Sequence, residues 1–259
     1  MKYQQLLLIS ACLLWWISPA RSPTWELGVG AGGSAYTGDL NPDQPFKFSG
    51  LAAGGFVKVN LDPYWAIGLH YNYGRVEAND ARSSRTDFQQ RNLKFYTPMH
   101  EASAQVDFNF MDYFSGGGGK GFTPYIFAGI GGVIFNPKVK LNNEVRELRL
   151  YRTEDQTYLY RNYAITVPYG AGLKIRVQSN LSLNTQIGFR TVYTDYLDDV
   201  SGVYHRLETD NADRIYLANP ALDSRTYGAQ RGDSRKHDGY MFTQVGISYT
   251  FLCKNCLTF

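Results

Sequence analysis

Beyond its first residues the chain has no long apolar run. A membrane-spanning helix needs about 20 consecutive apolar residues, so any crossing of a bilayer must be made by strands. Basic runs are missing too. The formal net charge is only +3, which does not describe a nucleic-acid binder. Histidine is scarce: His70, His100, His205 and His237 are the only four. A barrel enzyme acting on outer-leaflet lipid would set a histidine beside a serine, with a carboxylate behind them. His100 shares its strand face with Ala102, which is no nucleophile, and no nucleophile, base and orienting group assemble around it. Cysteine is nearly absent. After the leader only Cys253 and Cys256 remain, spaced C-x-x-C, with no second pair or histidine to complete a zinc site. A redox C-x-x-C normally opens a helix, and this one follows a strand. The chain is therefore expected to be non-enzymatic and to hold no metal, cofactor or small-molecule substrate.

What is abundant is alternation. In Tyr64–Gly74, Trp65, Ile67, Leu69, Tyr71 and Tyr73 fall on one face, and Tyr64, Ala66, Gly68, His70, Asn72 and Gly74 on the other. Period two is the signature of a strand, and about 10 residues is what a tilted strand needs to cross a bilayer. The pattern recurs at Thr24–Ala35, Gly50–Asn60, Glu101–Met111, Thr123–Phe135, Thr166–Val177, Leu181–Tyr193 and Gly239–Phe251. In Thr123–Phe135 both faces are apolar and the parity is ambiguous. About eight strands, an even number, with connections alternating long and short, predict an all-β fold. Specifically, they predict an eight-stranded antiparallel up-and-down transmembrane barrel of the OmpA/OmpX type, its interior filled by side chains rather than open.

Residues 1–20 carry Lys2, an apolar core and Ser18-Pro19-Ala20, which is the layout of a cleaved signal peptide. The remainder, 21–259, is expected to form a single barrel domain. Short turns in such barrels are periplasmic and long loops extracellular, which would place both termini in the periplasm. Polar groups of inward parity are Glu26, Lys58, His70, Glu101, Asp107, Lys174, Arg176 and Arg190. Inside a closed barrel in lipid they must pair with one another or with trapped water. The segments 75–97, 138–163 and 194–238 are expected to be polar loops, the second with a short helix or strand extensions. Asp198-Asp199 is expected to be solvated or held in local turn hydrogen bonds, and Arg231-Gly232-Asp233 to be a turn rather than an adhesion tripeptide.

Thr194-Asp195-Tyr196-Leu197-Asp198-Asp199-Val200-Ser201-Gly202-Val203-Tyr204, Arg231-Gly232-Asp233-Ser234 and Tyr240-Met241-Phe242-Thr243 resemble the PorG family. Tyr36-Thr37-Gly38-Asp39-Leu40 is similar too. PorG proteins are outer-membrane barrel components of the type IX secretion system. The resemblance implies an accessory role in protein export, and in some species gliding motility. Its partners would be outer-membrane lipid and a periplasmic ring of PorK/PorN type. The alternative is a structural or adhesin-like barrel acting through its outer loops. The tail with Cys253 and Cys256 would lie in the oxidising periplasm, free to form a disulfide or to touch a partner.

Overall fold

The computed structural model describes residues 23–251 apart from 43, 45, 114–120, 224–225 and 233–234. The leader and the cysteine tail, with their expected roles, lie outside the described residues.

The long strands are β1 (Thr24–Thr37), β2 (Phe48–Asn60), β3 (Trp65–Asn79), β4 (Lys94–Asn109), β5 (Phe122–Phe135), β8 (Tyr163–Arg176), β9 (Leu181–Val192) and β10 (Gly239–Phe251). Between β5 and β8 stands a small hairpin, β6 (Lys138–Leu141) and β7 (Glu144–Glu147). Each long strand pairs antiparallel with its neighbour, and β10 pairs with β1 from Trp25↔Phe251 to Thr37↔Gly239. The eight long strands therefore close into the antiparallel barrel that the alternation predicts. The turn from β2 to β3 is built by Asp62, whose carboxylate accepts from the Tyr64 and Trp65 amides at 2.7 Å each.

Side chains on the outer wall are apolar through the middle of the barrel. Trp65, Ile67, Leu69, Tyr71 and Tyr73 are all exposed, Leu69 by 69%. Aromatic rings gather in two girdles. One holds Trp65, Phe108 and Phe110 in mutual contact near the short-turn end. The other holds Tyr71 and Tyr73 against His100, with Phe46 edge-on to Phe189 farther round the wall. From Trp65 to Tyr73, at about 3.4 Å per residue and a tilt of about 40°, the rise is roughly 21 Å. That is close to the apolar band of about 25 Å typical of outer-membrane barrels.

The strands do not stop at the upper girdle. β3 continues to Asn79 and β4 begins at Lys94, so parts of the expected 75–97 loop are strand. The alternation there is intact but inverted. Arg75 and Glu77 point outward, and Val76, Phe95 and Met99 point inward and are buried. The greasy face is inside here and outside below.

The apolar core lies in this upper collar. Val76, Phe95, Met99, Val133, Phe135, Val192 and Phe242 line it, and Leu40, Leu93, Val139, Leu148, Leu197 and Val200 descend on it from the loops. A side chain at Gly74 would come within 2.5 Å of the Phe242 ring, so glycine leaves room for that ring. Three short helices, α1 (Thr86–Arg91), α2 (Leu148–Tyr151) and α3 (Ala212–Ala218), belong to the loops that cover this end. α3 is capped by Asn211, whose side chain accepts from the Arg214 amide. The 138–163 insertion thus contains both a hairpin and a helix. Among the described residues no helix is long and apolar enough to cross a membrane.

Candidate functional site: a filled barrel under a folded cap

Toward the short-turn end, Asp107 is the hub. Its carboxylate receives Lys58 Nζ at 2.6 Å and Lys174 Nζ at 3.3 Å, with all three side chains almost fully buried. Lys58 stands over the Phe56 ring at 4.3 Å and Lys174 over Tyr125 at 4.7 Å. Glu26 is reached by the Asn60 amide at 3.4 Å. Arg176, only part-buried, stacks on Tyr113 at 4.9 Å. Tyr113 follows β4 and folds beneath the barrel, where its hydroxyl donates to Ser182. His70 lies against Phe56 with ring centroids 5.3 Å apart, and its Nε2 has no partner among the described residues.

Higher up, Glu101 takes over. Arg190 Nε donates to it at 3.0 Å, the Tyr240 hydroxyl at 2.5 Å and the Asn72 amide at 3.2 Å. Arg190 packs over Phe242 at 4.6 Å. The two hubs are joined by amides. Gln244 donates to Asn72 at 3.1 Å, Gln186 to Gln244 at 2.8 Å, and Tyr125 to Gln186 at 3.3 Å. Lys58, Asp107 and Lys174 thus form one ion-pair centre and Glu101 with Arg190 the other, and a chain of hydrogen bonds runs from Glu101 to Tyr125, whose ring Lys174 covers. Low dielectric strengthens each of these contacts and makes an unpaired member costly. Chemically the arrangement packs and rigidifies.

Above it the loops form the cap. Arg231 is buried and donates to Glu154 at 3.0 Å, to Thr153 at 3.2 Å and to the Asp199 carbonyl at 2.7 Å. Arg91 grips Asp80 at 2.6 Å and reaches the carbonyls of Asp39 and Arg231. Thr97 of β4 donates to the Leu197 carbonyl at 2.7 Å. Asp198 and Asp199 are buried rather than solvated, and of the expected local turn bonds Asp198 makes one, accepting from the Val200 amide at 2.9 Å. Asp199 accepts from Thr153 and Tyr160, each at 2.6 Å, and burial pushes its carboxyl up to about 6 against the pull of Arg231. Leu197 and Val200, flanking the pair, were the available signal that this segment turns inward. Arg231, pinned in the cap, is not on display for a receptor, and Asp233 lies outside the described residues.

His100 sits on the outer wall, where its Nδ1 meets the Tyr71 hydroxyl at 2.7 Å. Its cross-strand neighbours on that face are Tyr73 and Ile134.

A profile described as "Domain of unknown function (DUF6089)" matches residues 4–259. The chain belongs to the DUF6089 family. No curated protein matches it. Among solved structures, this DUF6089 barrel is similar to the N-terminal β-barrel domain of Pseudomonas aeruginosa OprF, at 13% identity and a TM-score of 0.41, over 90% of this chain and 99% of that one. It is similar to Neisserial surface protein A at 8% identity and a TM-score of 0.44, over 89% and 100% of the two chains. A major outer membrane protein from Thermus thermophilus aligns at 11% identity and a TM-score of 0.40, over 89% and 100%. All three have the outer-membrane barrel fold.

Proposed function

We propose that this DUF6089 protein is a non-enzymatic outer-membrane component of a protein-secretion machine, of the PorG type. The long loops would face outward, both termini would lie in the periplasm, and a PorK/PorN-type ring would be its partner. One observation carries the reading. The segments that resemble PorG are far apart in sequence yet interlock in the cap and just beneath it: Tyr36 meets Asp198 and pairs across the strands with Tyr240, and Arg231 meets the Asp199 carbonyl. A filled interior under a packed mouth suits a barrel that works through its surfaces rather than as a conduit. Outer-membrane lipid would contact the apolar band.

The test is an affinity pull-down from detergent-solubilised outer membrane. Recovery of a periplasmic lipoprotein ring supports the proposal; recovery of the barrel alone favours the adhesin-like alternative. That second reading has its own support, because Leu150 and Tyr158 in the β5–β8 insertion are exposed at the loop end. Orientation is tested with single cysteines in a background lacking the native ones. Tyr158→Cys should react with an impermeant reagent on intact cells and Ser179→Cys should not.

A further inference from the structure

The hydroxyl of Tyr36, at the rim end of β1, lies between two buried carboxyl groups. It is 2.5 Å from Asp198 Oδ2 and 3.3 Å from Asp238 Oδ1. Asp198 opens the segment between β9 and β10, and Asp238 closes it. The remaining oxygen of each carboxyl is occupied by a backbone amide: Val200 donates to Asp198 and Leu197 to Asp238, both at 2.9 Å. A tyrosine hydroxyl has one proton to give. It can serve one of the two carboxyl groups, so the second contact needs a proton on a carboxyl.

Among the described residues no cation is paired with either carboxyl group. Asp39 and Asp195 add negative charge near Asp238. The nearby cations are Arg231 and Arg91, and each is already paired, with Glu154 at 3.0 Å and with Asp80 at 2.6 Å. Neither Asp198 nor Asp238 is in an ion pair among the described residues. Two carboxylates within about 6 Å of each other in a dry site do not both ionise.

We propose that the seating of the 193–238 loop in the barrel mouth is proton-linked, with a proton held at the Tyr36–Asp198–Asp238 contact acting as the latch. One proton joins the first strand of the barrel to both ends of its longest loop. Burial first, and then the charge of Asp238 on Asp198 and of Asp39 on Asp238, hold both carboxyl groups well above the ordinary carboxylate range. The sign follows from linkage. A folded-state value raised above the unfolded one contributes stability that is fully present below about pH 4 and is lost as pH rises through the raised value. The latch is closed in acid and loosens toward alkaline pH. Asp199 titrates in the same sense lower down, but it is tied to Thr153 and Tyr160 rather than to Tyr36.

The readout is hydrogen exchange at the Leu197 and Val200 amides in the full-length barrel in detergent, corrected for the intrinsic pH dependence of exchange. Protection should fall by up to about tenfold for each pH unit between about pH 4 and the raised value, and level off above it. Asp238→Asn keeps the geometry, supplies the missing donor permanently and should flatten the profile. Heat-modifiable gel migration, unchanged between pH 5 and pH 9, should show that the barrel itself stays folded. Protection at the two amides that is constant across that range in the wild type would overturn the proposal. So would a wild-type-like loss of protection in a folded Asp238→Asn barrel. Restoration of protection at pH 9 by added calcium would assign the site to a cation and overturn the proton. If Asp238→Asn does not fold, the wild-type pH series decides alone.

Discussion

Along β4 the inward positions from Asn109 up to Glu101 are polar, whereas Met99 and Phe95 above them are apolar. The outward positions run the other way, from Phe108 and Val106 to Tyr96 and Lys94. β3 makes the same exchange between Tyr73 and Arg75 on its outer face and between Asn72 and Val76 on its inner one. Backbone geometry is continuous across the change. What changes is the side on which the apolar residues lie, as it would for a strand that leaves a bilayer for water. In the band, apolar surroundings take the greasy face, and the interior must satisfy its polar groups with one another. In the collar, water takes the polar face and the hydrophobic effect returns to the inside. A single strand therefore encodes two folding environments, and the girdle of Tyr71, Tyr73 and His100 marks the border.

The comparison can be broken most severely from within the band. Arg190→Glu sets a carboxylate against Glu101 where side chains have no access to water. It should cost about 3–5 kcal/mol, as removing one partner of a buried pair does, read as a lower urea midpoint in detergent. Next, Leu69→Arg places a charge on the outer wall, four residues from either of Trp65 and Tyr73 in the same strand. About 2–4 kcal/mol is expected near the midplane. In the collar, Met99→Gln buries an amide among Phe95, Val133 and Phe135. An unpartnered polar group there should cost about 1–3 kcal/mol, whereas the glutamines of the band are accommodated. Smallest is Glu77→Arg, on the same outward face as Leu69 but beyond the girdle. It loses only the exposed pair with Arg75 and should shift stability by about 0–1 kcal/mol. If Leu69→Arg and Glu77→Arg cost the same, the girdle is not the border.

The sequence is most legible where the outer wall is apolar. The strand Gly239–Phe251 is recovered with its bounds, and the alternation in Tyr64–Gly74 assigns its faces as the structure has them from Trp65 on, whereas Tyr64, expected inward, lies in the turn before the strand and is exposed. Thr123–Phe135 could not be assigned because isoleucine and glycine outside oppose Tyr125, Phe127, Val133 and Phe135 inside, leaving no polar face to read. The collar was misread as loop for a different reason. Its strands present charged residues outward, so Arg75, Glu77 and Lys94 looked like the start and end of a solvated connection. The cap was the least legible part. Asp198, Asp199 and Arg231 are residue types that favour water, and partners distant in the chain, Tyr36, Thr153 and Glu154, help make their burial tolerable. Pairing at such separations leaves no local periodicity.

Closure of the barrel has a kinetic consequence. Trp25 of β1 meets Phe251 of β10, so the final seam joins positions at opposite ends of the described chain. Every partly assembled state carries two unpaired strand edges, and the loop-closure entropy for the seam is spent before its hydrogen bonds form. Folding should therefore be slow and all-or-none in its last step. A chain lacking β10 would not make a smaller barrel; it would leave β1 and β9 as open edges, available to another strand.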